Sequence, residues 1–308
     1  PVAMDAPGIS FLLPSRGRPE GLRRLCESIV TLSERPERLE VVLCGDDDDP
    51  KTLAFAFEGL AFTRLSGPPG RSMGVMMRDC FEASRGRLVM LLNDDMVFMT
   101  RGWDRRVEEA FAKFPDGIAL VYGDDLDQGE RVPSFPVLSR NAVEAIGHIT
   151  HPGYLNLHLE SHLMDIFREL EALGHRRTVY LDCVIFEHRH FTLGKSFAVA
   201  TSHKKDPAFD NRLFLSLADD RKAIARRIAR RLSGVKDDPA ARPEFGPKPE
   251  VSVVVALAKA DLTRLPGILS ALFAPDGRRV PPEILIVPME GVRTQASLDH
   301  LSGITRLR

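Results

Sequence analysis

The chain has 308 residues, with 42 lysines and arginines against 43 aspartates and glutamates, a formal net charge of -1. That balance argues against a protein built to coat nucleic acid, while a hydrophobic content of 44% is enough to bury one large α/β domain and a smaller unit. Four scattered cysteines without CxxC spacing argue against a zinc or disulfide framework, and no apolar run reaches membrane-spanning length.

In chain order, Ile9 to Leu13 is a short apolar run closed by Pro14, the pattern of a buried parallel strand. Leu22, Leu25 and Ile29 then recur near helical spacing. Glu40 to Cys44 forms the next strand and runs into four aspartates. A third strand is expected over Ala61 to Leu65, followed by a turn at Gly67-Pro68-Pro69-Gly70 and a helix over Met73 to Ala83. Leu88 to Leu92 is a buried strand that stops at Asn93. Val107 to Phe114 is helical and Ile118 to Tyr122 extended. Asp124 to Asn156 is expected to be irregular. A helix over Leu157 to Leu173 ends at Gly174, and Val179 to Phe186 is a strand leading into Glu187-His188-Arg189-His190. Phe209 to Leu232 is expected to be one helix carrying Arg226, Arg227, Arg230 and Arg231, whose charges suit a solvated face. Asp237 to Pro249 has the proline and charge content of a linker. Beyond it, a strand at Val251 to Ala256, a helix over Leu265 to Leu272 and a strand at Glu283 to Val287 repeat the order of the first 45 residues in degenerate form.

Alternating strands and helices imply a mostly parallel sheet flanked by helices, with a helical extension and a partial second α/β unit. The expected division is 1–200, 201–249 and 250–308. Pro1 is not a natural start, so a fragment or an edited form of a protein is expected. Cysteine usage suits a reducing cytoplasm, with membrane contact peripheral at most.

In parallel sheets ligands sit beyond the carboxyl ends of the strands. Pro14-Ser15-Arg16-Gly17-Arg18, Asp46 to Asp49 and Asn93-Asp94-Asp95 all fall at such ends. The acidic triplet can meet a hard divalent cation, which takes carboxylates and substrate phosphates as ligands. An acidic turn or helix cap is the structural alternative. Arg16, Arg18 and Arg71 carry guanidinium groups that match phosphate. Asp46 and Asp47 can bond a base or ribose, whereas Asp48 and Asp49 read as a solvated turn before Pro50. Gly194-Lys195-Ser196 lacks the spacing of a phosphate-binding loop.

Three segments together resemble the inverting glycosyltransferases with the GT-A fold, particularly family 2. They are Leu12 to Pro19, Cys44-Gly45-Asp46-Asp47 and Leu91 to Met96, with Thr100-Arg101-Gly102-Trp103-Asp104 after them. The resemblance covers roughly Ile9 to Lys195. The family's Asp-x-Asp motif has Asn93 at its first position here. The resemblance implies transfer from a nucleoside-diphosphate sugar, UDP favoured, to a saccharide or glycolipid hydroxyl, with Mn2+ or Mg2+ as cofactor and a bacterial surface polymer as the setting. Donor contacts then fall to Pro14, Ser15, Arg16, Arg18, Asp46, Asp47, Arg71, Asn93 and Asp94. Metal ligation falls to Asp95 and His188, with His190 as the alternative. Glu160 is the expected base and Asp165 its substitute. A nucleotidyltransferase and a non-catalytic nucleotide-sugar-binding domain are the competing readings.

Overall fold

The computed structural model describes residues 8–189 and 206–234, together with the backbone of two later strands. The chain divides into two compact units, Pro1–Asp237 and Asp238–Arg308.

The first unit is built on an eight-stranded sheet. In chain order its elements are β1 (Ile9–Pro14), α1 (Pro19–Leu32), β2 (Leu39–Asp46), the short α2 (Pro50–Leu53), β3 (Ala61–Gly67), α3 (Met73–Ala83), β4 (Leu88–Leu91), β5 (Met96–Phe98) and α4 (Trp103–Ala112). There follow β6 (Leu120–Asp124), β7 (Val137–Ser139), α5 (Arg140–Ile146), α6 (Leu159–Ala172), β8 (Thr178–His188), α7 (Pro207–Ser216) and α8 (Ala218–Leu232). The strand order is β3-β2-β1-β4-β7-β6-β8-β5. β3, β2, β1 and β4 run parallel, β7 runs against both its neighbours, and β5 pairs antiparallel with β8.

The mostly apolar central strands follow from burial on both faces. Along β1, Ile9, Phe11 and Leu13 enter one core layer and Leu12 the other; in β2, Val41 and Leu43 separate from Val42 and Cys44 in the same way. α1 and α4 supply the first layer with Leu22, Leu25, Ile29, Val107 and Phe111. α3, α5, α6 and α8 supply the second with Met76, Cys80, Val143, Leu163, Phe167, Ala225 and Ile228.

Two departures from the sequence expectation shape the site. Residues 124–156, expected to be irregular, hold β7 and α5; β7 is only three residues long, Val137-Leu138-Ser139, and the preceding Pro133 and Pro136 mask it. The expected single helix over 209–232 breaks at Leu217 into α7 and α8. Between them Arg221, 3% exposed, bonds the Phe214 carbonyl at 2.6 Å and stacks its guanidinium on the Phe214 ring at 3.9 Å. The Thr100-to-Asp104 segment has structural duties. Trp103 is fully buried 4.3 Å from Phe98, and Asp104 accepts from the Glu34 and Arg35 amides at 2.9 and 3.0 Å.

In the second unit the backbone of β9 (Ser252–Leu257) and β10 (Glu283–Pro288) forms a parallel pair. The expected linker over 237–249, the helix over 265–272, His190 and Lys195 lie outside the described residues.

Candidate functional site

β1 ends at Pro14 and hands Ser15, Arg16 and Arg18 to the rim of the sheet; β4 ends at Leu91 and, one residue pair later, hands over Asn93, Asp94 and Asp95. These two strands are direct neighbours in register. The two motifs therefore meet. Ser15 donates to Asp94 Oδ2 at 2.7 Å and Arg18 donates to Asp94 Oδ1 at 2.8 Å. Asp94 is 7% exposed, and burial raises its carboxyl above the usual range against the pull of Arg18 and Ser15. α1 presses close because position 21 is glycine: a Cβ there would stand 2.6 Å from the Asp94 carbonyl oxygen.

Asp95 faces differently. Its carboxylate lies 3.4 Å from His188 Nε2 and 3.9 Å from Arg18. β8 brings His188 there, because β5 pairs Met96 with His188 and the Arg189 amide donates to the Asp95 carbonyl at 2.7 Å. A bulge at Gly123/Asp124 sets the upper end of β8. Only glycine fits at 123, where a Cβ would meet the Val184 oxygen at 2.4 Å. Desolvation pulls the His188 imidazole down, but its bond to Asp95 and the charges of Asp95, Asp125 and Glu160 outweigh it, and its pKa is raised.

A cavity of about 420 Å³ gathers these groups. It is lined at the β1 end by Pro14, Ser15, Arg16 and Arg18, at the β4 end by Asn93, Asp94 and Asp95, and by His188. The start of α6 contributes Leu159 and Glu160. Glu160 is half-buried; desolvation pushes its carboxyl up to about 7, opposed by its own amide and by His188.

Other expected residues stand behind this wall. Asp46, 1% exposed, is held by Arg16 at 2.9 Å and lies 3.8 Å from Arg71. Arg71 itself donates to the Gly45 carbonyl at 2.7 Å and lies 3.4 Å from Asp79. Asp47 is exposed. The Asp48–Asp49 pair is not simply solvated. Asp48 takes a two-pronged bond from Arg16, and buried Asp49 caps α2 while accepting from the Gly17 amide at 2.6 Å. Asp165 does not line the cavity: its carboxylate pairs with buried Arg221.

Sequence reasoning missed a second wall. Asn156, Leu157 and His158, with Asn211 of α7, also line the cavity. The loop is fixed by Asp210, fully buried, which accepts from the amides of Leu155, Asn156 and Leu157 at 2.8, 3.0 and 2.8 Å. No motif marks Asp210 or Asn211; the partners lie some fifty residues away.

As donors for a cation, Asp95 and His188 offer one carboxylate oxygen and one imidazole nitrogen. Among the described residues no three His, Cys, Asp or Glu side chains converge on a closed metal site. That donor set fits a divalent ion whose remaining ligands come from a substrate diphosphate and water.

No family model matches the sequence and no curated protein matches it. Among solved structures, the chain is similar to the mannosyltransferase PcManGT from Pyrobaculum calidifontis in complex with GDP-Man and Mn2+, at 14% identity over 86% of this chain and 81% of that one, with a TM-score of 0.46. It is also similar to S. aureus TarS, at 10% identity over 86% of this chain and 48% of that one, with a TM-score of 0.50; the chain thus spans about half of TarS. At such identities the likeness is one of fold, and with the sheet order and the cavity at the strand ends it shows that this chain has a GT-A-like glycosyltransferase fold.

Proposed function

We propose that the chain is a metal-dependent inverting glycosyltransferase that moves a sugar from a nucleoside-diphosphate sugar to a hydroxyl of a saccharide or glycolipid. One observation carries this reading: a single cavity holds the Asp95–His188 pair, the arginines of the β1 end and a carboxylic acid, Glu160, brought to about 7. A group titrating near neutrality is suited to take a proton at physiological pH.

Asp95 and His188 would hold the cation, Mn2+ or Mg2+, which when bound would supply charge to offset that developing on the leaving diphosphate. Arg16 and Arg18 present guanidinium groups on the same side of the sheet rim and add to that field. Arg16 also holds the buried Asp46 carboxylate behind the cavity wall, which fixes the guanidinium at the rim. Glu160 removes the proton from the acceptor hydroxyl as its oxygen attacks the anomeric carbon opposite the leaving group. A single displacement of this kind inverts the anomeric centre.

The test is a turnover screen across UDP-, GDP- and dTDP-sugars with Mn2+, UDP-sugars first, run beside calorimetric titration of the nucleoside diphosphates. Metal-dependent binding with turnover of one donor is expected. Binding without turnover would favour a sugar-nucleotide-binding domain, and absence of metal-dependent binding would refute the assignment.

A further inference from the structure

The second wall of the cavity has the build of a recognition edge. His158 starts α6 in the left-handed backbone region, φ 66°, which is costly for a residue with a Cβ. Two contacts hold it there, one of them braced from behind. Its ring stacks on Phe214 with centroids 4.6 Å apart and planes within 24°. Phe214 is backed on its own ring by the Arg221 guanidinium. And His158 Nε2 stands 2.6 Å from Asn211 Oδ1.

That last contact orients the amide. A carbonyl oxygen only accepts, so the imidazole donates through Nε2, and the Asn211 nitrogen is turned away from the ring. The amide nitrogen has no hydrogen-bond partner among the described residues, and Asn211 lines the cavity that holds Glu160. Asp210, next in the chain, pins the facing loop through three amides, so the wall and the helix that bears Asn211 form one unit.

We infer that Asn211 is a specificity-determining residue for the acceptor: its amide donates to a sugar hydroxyl adjacent to the one that Glu160 deprotonates, and His158 is the positioning residue that fixes the amide's orientation. This rests on the glycosyltransferase reading and narrows it. The acceptor it fits carries a second hydroxyl beside the reacting one and is not a lone alcohol.

The experiment uses the full chain, the donor that turns over in the screen, and a panel of methyl hexopyranosides; the best of these is then compared with its monodeoxy analogues. Asn211→Asp keeps the oxygen that faces His158 and removes the amide donor, while Asn211→Ala removes both. Each is expected to raise the KM for the glycoside roughly three- to tenfold. kcat should change less than twofold. The unaltered chain should discriminate against one monodeoxy analogue by a similar factor, and both variants should lose that discrimination. A merely structural role would lower kcat and leave the discrimination in place. Asn211→Asp with an unchanged KM, or donor hydrolysis without transfer to any methyl hexopyranoside, overturns the inference alone. Failure of the unaltered chain to turn over any donor counts instead against the glycosyltransferase reading.

Discussion

Replacing Glu160 with glutamine should have two opposite effects, and their coincidence is the informative result. The folded protein holds this carboxyl at about 7, against 4.5 for the free side chain. The folded state therefore binds the Glu160 proton more tightly than the unfolded one. The stability linked to this group is fully present below about 4.5 and is lost as pH rises through 7. The displacement corresponds to roughly 3 kcal/mol at full burial. Glu160 is only half-buried by surface area, so solvent screening brings the expected figure to about 1–2 kcal/mol. Glu160→Gln removes the buried charge and should raise the melting temperature at pH 8 by roughly 2–4 °C for each kcal/mol, with little change at pH 5. Transfer should fall by roughly 100- to 10,000-fold, the usual worth of a general base. In the unaltered chain, kcat/KM should climb tenfold per pH unit below about 7 and level off above it, because only the carboxylate can take the proton. Differential scanning calorimetry and initial rates across pH 5 to 9 read both effects. Full activity in Glu160→Gln, or a lower melting temperature at pH 8, would refute the reasoning.

Asp95→Ala and His188→Ala should each weaken metal-dependent nucleoside diphosphate binding by roughly 10- to 100-fold or more, at least what an outer partner of a ligand is worth; titration with and without Mn2+ checks this. Asp210→Ala strips three amides of a buried acceptor and should cost about 3 kcal/mol, seen as a fall in melting temperature, together with a loss of transfer because the loop leading to Glu160 is released. Arg18→Ala leaves the buried Asp94 carboxylate without its cation and should cost about 2 kcal/mol at pH 7. That deficit should shrink at low pH, where Asp94 is protonated, and in an Asp94→Asn background; a pH-independent deficit would show that the ion pair is not its source.

How much of this was legible in the chain depends on the range of the interactions. Strands such as Ile9–Pro14 and Leu88–Leu91 announce themselves because burial on both faces demands mostly apolar runs. Local turn chemistry then marks their ends, and the strand ends mark the rim of the sheet. β7 was hidden because three residues carry too little pattern, and its placement is decided by pairing with β4 and β6. The second wall of the cavity was hidden for a stronger reason. Asp210 and Asn211 act on residues 155–158 through tertiary contact, and neither residue is unusual for the start of a helix. The same limit applied to Asp165, whose partner Arg221 is 56 residues away and supplies a structural reason for the carboxylate.

The acidic triplet shows how one motif divides its labour. An Asp-x-Asp motif suggests two carboxylates on one cation, and Asn93 in the first position removes one of them. Asp94 does not take its place. Both its oxygens are engaged, one by Ser15 and one by Arg18, and it sits almost wholly out of solvent. Turning it toward a cation would break both bonds and unpair Arg18 beside the cavity. Its work is to lock the β1 end to the β4 end, so that Arg16 and Asp95 keep a fixed relation across the rim. Asp95 is then the carboxylate left to face the cavity, and its proper partner is not another residue of the triplet but His188, carried there by the long strand β8. A cation held by this pair would rely on the diphosphate for most of its remaining ligands, so metal and nucleotide should bind together far better than either alone. Titrating Mn2+ into the chain with and without nucleoside diphosphate measures that coupling directly. Equal Mn2+ affinity in the two titrations would mean that the protein closes the metal site by itself, and would overturn the two-ligand reading of the described residues.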